Sequence, residues 1–169
     1  MRLAFAALLL VACGDHPDDA ARTLAPAANT TQDGPVDGIS CDAHEQLVLH
    51  IHAHLAIYDH GEPKLLPSGI GISTGACIAW LHSHDQSGIL HIEAPMPRTF
   101  TLGNFFSVWG QPLSMTEVGP ALGSVTAFVD GVAITGDPRA IVLADHGVVQ
   151  LDVGEPVVPA QPYTFPAGY

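Results

Sequence analysis

Basic side chains are scarce in this chain: five Lys plus Arg stand against 17 Asp plus Glu, for a net charge of −12 over 169 residues. A nucleic-acid partner is excluded on that balance, because a phosphate backbone is held by basic contacts. Docking on anionic lipid through a basic patch is excluded for the same reason. Sulfur is scarce too, with three Cys and three Met. Met96 and Met115 are the only methionines beyond Met1, too few for a dedicated Cu(I) thioether site. The longest apolar run, Leu3 to Ala12 (LAFAALLLVA), is too short to span a bilayer. Long helices are not expected either, since 17 Gly and 14 Pro punctuate the chain with turns. What is abundant is histidine, with ten copies in a length that suits one domain with a real core.

The N-terminal apolar run fits the h-region of a secretory signal. Its end, Leu10-Val11-Ala12-Cys13, resembles the lipobox of bacterial lipoproteins. That resemblance implies loss of residues 1–12 as a signal peptide and lipidation of Cys13. The protein would then be exported and membrane-anchored, facing the periplasm or the cell surface. An ordinary signal peptide with an incidental Cys is the alternative. With Cys13 lipidated, Cys41 and Cys77 remain as an even pair, and an oxidising compartment favours a disulfide between them. The competing reading makes Cys77 a thiolate metal ligand. Residues 14–40 have no hydrophobic period and are rich in Asp, Ala, Pro and Thr. Anchor and disordered tether are therefore expected over 13–40, a histidine-rich domain over 41–155, and a Pro-rich tail over 156–169. The tail's aromatic residues allow part of it to pack on the domain.

Alternation marks the first strand, Leu47 to Tyr58 (LVLHIHAHLAIY). Leu47, Leu49, Ile51, Ala53, Leu55 and Ile57 share one face, and His50, His52 and His54 share the other. A second polar cluster lies in CIAWLHSHDQSGILHIE, Cys77 to Glu93. There Asp85-Gln86-Ser87-Gly88 supplies turn residues between two alternating runs. A four-residue loop sets His84 opposite Ile89, His82 opposite His91 and Trp80 opposite Glu93, all on one face. Leu102, Phe105, Phe106 and Trp109 then fall on one helical stripe, with Thr101 as N-cap and Gly110 as C-terminal stop. These aromatics read as core. Asp130-Gly131 is a two-residue hairpin signal inside Val125 to Ile134. Ile141–Leu143 and Val148–Val153 are further strand candidates. The expected class is α+β: a small mixed sheet with one short helix packed on it, β-grasp-like. A β-sandwich or small barrel is the alternative.

H-x-H on a strand places both imidazoles on one face, as a metal site on a sheet requires. The candidate ligands are His50, His52, His54, His82, His84, His91 and Glu93, with Asp85 orienting a ligating ring. Imidazole with one carboxylate suits a Zn or Cu ion, and the donors exceed the need of one tetrahedral centre, so one or two ions are expected. The leading expectation is a binding protein. A metal-dependent enzyme, of a Zn hydrolase or lyase type with Glu93 as base or an oxidative copper type, is the rival. A metal-free structural or adhesion domain, or a histidine patch titrating near pH 6.5, is the remaining alternative.

The motifs together resemble a family of exported or membrane-anchored prokaryotic proteins. They are H-x-H-x-x-L within residues 50–55, C-x-x-W-L-H-[ST]-H-D-x-x-G-[IV]-[LI]-H-[IV]-E from Cys77 to Glu93, and F-T-L-G-x-F-F-x-x-W-G from Phe100 to Gly110. The resemblance covers about residues 50–155. It implies export and names no activity.

Overall fold

The computed structural model describes residues 22–169. The expected signal peptide, residues 1–12, and the expected lipidation site Cys13 lie outside the described residues. Strand β1 is Cys41–Asp42, β2 Leu49–Asp59, β3 Glu62–Lys64, β4 Ile72–Ser73, β5 Cys77–Ala79, β6 Leu81–His82 and β7 Ile89–Ala94. Helix α1, Leu102–Trp109, follows, and then β8 Glu117–Val118, β9 Ala121–Leu122, β10 Val125–Val129, β11 Val132–Ile134 and β12 Val148–Val153. The main sheet has seven strands in the order β11-β10-β12-β2-β7-β6, with β3 also paired to β2. Only β12 and β2 run parallel, and the other pairs in this sheet are antiparallel. The sheet is open, ending at β11 and β6, so the barrel alternative is not what folds. The expected α+β architecture, a mixed sheet with one short helix packed on it, is observed.

Alternation along β2 does what the pattern requires. Ala53, Leu55 and Ile57 enter the core together with Val149, Leu151 and Val153 of β12 and Leu90 and Ile92 of β7. Helix α1 closes that side, with Leu102, Phe105, Phe106, Val108 and Trp109 fully buried. Each buried aromatic contributes roughly 2–3 kcal/mol by transfer from water. The helix starts where a capping box allows it: Thr101 accepts from the Asn104 N–H and Asn104 accepts from the Thr101 N–H. It stops at Gly110, whose φ of 70° is left-handed.

Three expectations are corrected. Residues 22–40 are packed, not a tether: Leu24, Ala25 and Ile39 are in the core, and the Trp109 indole N–H donates to Pro26 O at 2.8 Å. Their composition lacks a period because they wrap the domain in irregular backbone. Ile141–Leu143 is not a strand of the sheet. Instead it bridges the helix entry, with Val142 paired to Thr101 and the Leu102 N–H donating to Ile141 O. The run Cys77 to His82 is not one strand either. It breaks at Trp80, whose indole N–H donates to Asp42 (2.7 Å), and β5 joins a separate sheet, β1-β5-β4.

The other face of the main sheet carries the histidines, and the C-terminal segment crosses it. Gln150 and Asp152 alternate with the core residues of β12 and are buried. Gln150 donates to Val158 O (3.0 Å) and accepts from the Gln161 N–H (2.8 Å), while Asp152 accepts from the Val158 N–H (2.8 Å). The Pro-rich tail is thereby fixed to the sheet.

Candidate metal centre

Strand pairing assembles the site. In the β6–β7 ladder His82 stands opposite His91, the register that the turn residues predict. In the β2–β7 ladder His52 also stands opposite His91, and His50 stands opposite Glu93. Three adjacent strands therefore present His52, His91 and His82 in one row, with His50 and Glu93 in the next. Directly opposed residues lie about 4.5–5.5 Å apart at Cβ, which suits rings sharing an ion. The ring centroids agree: His52 and His91 are 4.7 Å apart, His50 and His52 4.9 Å, and His82 and His91 5.0 Å.

Glu93 lies beside these rings and is 2% exposed. Its Oε1 accepts from His91 Nδ1–H at 3.2 Å and lies 3.4 Å from His50 Nε2. Its Oε2 is buried with no hydrogen-bond partner. Burial alone would raise this carboxyl. The hydrogen bond from His91 and the charges of His82, His50 and His91 outweigh burial and hold it below the usual carboxylate range. An ionised carboxylate is thus held inside a ring of imidazoles with one oxygen unused. Donor atoms of His50, His52, His91 and Glu93 all lie within 4.8 Å of one another, so the group could hold a metal ion.

Burial favours the neutral form of two of these rings, His82 and His52. Burial pushes His82 down to about 4, against a smaller upward pull from Glu93. Burial also lowers His52, helped by His91 and His50. Neutral imidazole is the form that binds a cation.

Two expected site residues stand apart. His54 shares the face but lies beyond the cluster, under the β6–β7 connection. Its Nε2–H donates to Ser87 O (3.1 Å), and its ring stacks on Tyr163 with centroids 3.5 Å apart. Burial pushes it down to about 4. Gly88 makes this fit possible: its φ is 84°, and a Cβ there would meet Leu55 O at 2.6 Å and His54 Nε2 at 2.9 Å. Asp85 accepts from the Ser87 N–H at 2.8 Å, so its carboxylate shapes the turn. Cys77 is bonded to Cys41 in a disulfide, which removes it as a thiolate ligand.

His84 leaves the strand yet returns to the cluster, with its Nε2 3.2 Å from His82 Nε2. Glu45, in the loop between β1 and β2, comes within 3.4 Å of His84 Nε2. Sequence reasoning missed Glu45 because it lies in an aperiodic segment with no pattern to point inward. The tail supplies Tyr169, whose ring meets His52 edge-on at 5.0 Å and His91 at 5.9 Å. No protein-family model, curated protein or solved structure matches this chain.

Proposed function

We propose that the protein binds a Zn(II) or Cu(II) ion at the Glu93-centred set, with His50, His52 and His91 as its other ligands, and that it acts as an exported metal-binding module. The observation that carries this reading is the unpartnered, buried Oε2 of an ionised Glu93 among imidazoles. A buried carboxylate oxygen without a partner is costly, and a bound cation satisfies it. Tetrahedral Zn with bonds of about 2.0–2.2 Å sets its donors about 3.3–3.6 Å apart, so the donors, all within 4.8 Å of one another, must draw together on binding.

A holding role is favoured over catalysis because this set offers four protein ligands, which closes a tetrahedral sphere. Glu93 is better used as a ligand than as a base, since its Oε1 already accepts from His91. The donors are nitrogen and oxygen only, which fits Zn(II) or Cu(II) rather than Cu(I). The Cys41–Cys77 disulfide supports an oxidising compartment, and with it the export and lipid anchorage that the Cys13 motif suggests.

Calorimetric titration of metal-free protein tests the reading. The wild type should bind, and Glu93→Gln and His91→Ala should each weaken binding by at least about 100-fold, beyond the effect of an outer-shell change. His60→Ala, in the β2–β3 turn, should leave it unchanged. Equal loss from all three, or no binding by the wild type, contradicts the assignment.

A further inference from the structure

The Glu93-centred set leaves a second group of donors on the other side of β7. His82 is 0% exposed, and its Nδ1–H donates to Ala79 O at 2.9 Å. A carbonyl oxygen only accepts, so the ring proton is fixed on Nδ1 and Nε2 presents a lone pair. That lone pair faces His84 Nε2 at 3.2 Å and Glu45 Oε1 at 4.0 Å, and Glu45 Oε1 is 3.4 Å from His84 Nε2. His91 borders the same space: its ring stacks on His82 and meets His84 edge-on at 4.4 Å. Donor atoms of His82, His84 and His91 lie within 4.8 Å of one another.

Lone pairs and a carboxylate converging on one point repel each other. A proton on His84 relieves this for one pair at a time, whereas a cation satisfies them together. A neutral imidazole carries a single ring lone pair, so His91 ligates one ion only: Nδ1, the nitrogen that faces Glu93, serves the first ion with the ring proton on Nε2, and the second group rests on His82, His84 and Glu45. The two groups adjoin at β7, where a donor atom of Glu93 also lies within 4.8 Å of those of His82 and Glu45, but their other members come from opposite sides of that strand. His50 and His52 come from β2 on one side of β7, and His82, His84 and Glu45 come from β6 and its neighbouring loops on the other. The disulfide places Glu45, since it ties Cys41, four residues earlier, to β5.

We infer that a second Zn(II) or Cu(II) ion binds between His82, His84 and Glu45, with the His91 imidazole lying between it and the Glu93-centred ion. This rests on the proposed metal-binding reading and extends it to a two-ion centre. It differs from the first position in being open, because His84 and Glu45 are 44% and 42% exposed at the side chain. A position with three protein donors and a solvent-facing side leaves room for a water or an incoming donor group.

The test is native mass spectrometry of the full chain, disulfide intact, loaded with Zn(II) after metal removal. The wild type should carry two ions, and the double variant His84→Ala/Glu45→Gln should carry one. A wild type that saturates at one ion overturns the second position and leaves the first standing. So does a double variant that still carries two. Protein that takes up no Zn(II) overturns the underlying reading as well. Loss of both ions from a double variant with native circular dichroism and melting temperature also overturns the inference, because the second group is then not a separate position. If the double variant fails to fold, His84→Gln is read by the same criteria, since that side chain sits on an exposed loop.

Discussion

At Glu93 and His82 the protein buries two titratable side chains of opposite kinds, and the pair makes the metal-free fold sensitive to acid. His82 titrates at about 4 in the folded chain because of burial, against 6.5 when exposed. His54 behaves alike. As pH falls below 6.5 the unfolded chain takes up these protons first, so stability is full above that pH and is lost progressively down to about 4. The loss is on the order of 3 kcal/mol for each ring. Denaturant melts of metal-free protein at pH 7 and pH 4.5 check this, and an unchanged midpoint contradicts it. His82→Phe should flatten part of the slope. At this scale the sequence was informative wherever alternation held: His50 and His52, and likewise His91 and Glu93, share a face because they are two residues apart, and the turn sets His82 opposite His91. It was silent on Glu45, whose position is set by a loop, and it expected Asp85 to orient a ligating ring where the carboxylate instead accepts from the Ser87 N–H, because the choice between the two depends on side-chain geometry that spacing does not fix.

Among the elements, register does most to build the site. Asp85 to Gly88 announced the β6–β7 pairing, because turn residues fix which residues stand opposite one another. The β2–β7 pairing carried no such local signal, since 29 residues separate Asp59 from Ile89 in the chain and long-range pairing leaves no turn to read. Yet that pairing brings His52 to His91. Segment 22–40 was misread for a related reason: burial by wrapping needs no period, and composition alone resembles that of a linker. The tail is the element with a dynamic consequence. Tyr169 covers the edges of His52 and His91, and Tyr163 covers His54, held by the bonds of Gln150 and Asp152 to the chain at Val158 and Gln161. Tyr169→Ala should speed loss of bound metal to a chelator roughly threefold to tenfold while changing affinity less, since shielding acts mainly on dissociation. Stopped-flow competition measures it. A rate equal to the wild type shows that the ring is not a cover.

For the molecule as a whole, the disulfide links the small sheet to the loop that carries Glu45 toward the histidine face. The Cys41–Cys77 bond closes a loop of 36 residues, which contributes about 3–4 kcal/mol in the chain-entropy model. Reduction should lower the unfolding midpoint in denaturant accordingly. It should also weaken the Glu45-containing position before the Glu93-centred one, because β1 is then free to move from β5. Net charge of −12 acts in the same direction at long range, raising the local concentration of divalent cations around a surface with few competing basic groups. The most direct test of the central claim is X-ray absorption at the Zn or Cu edge of the loaded protein. A shell of nitrogen and oxygen alone at about 2.0–2.2 Å, with the outer scattering of several imidazoles, is the predicted result. A sulfur scatterer at about 2.3 Å, or an oxygen shell with no imidazole signature, contradicts it.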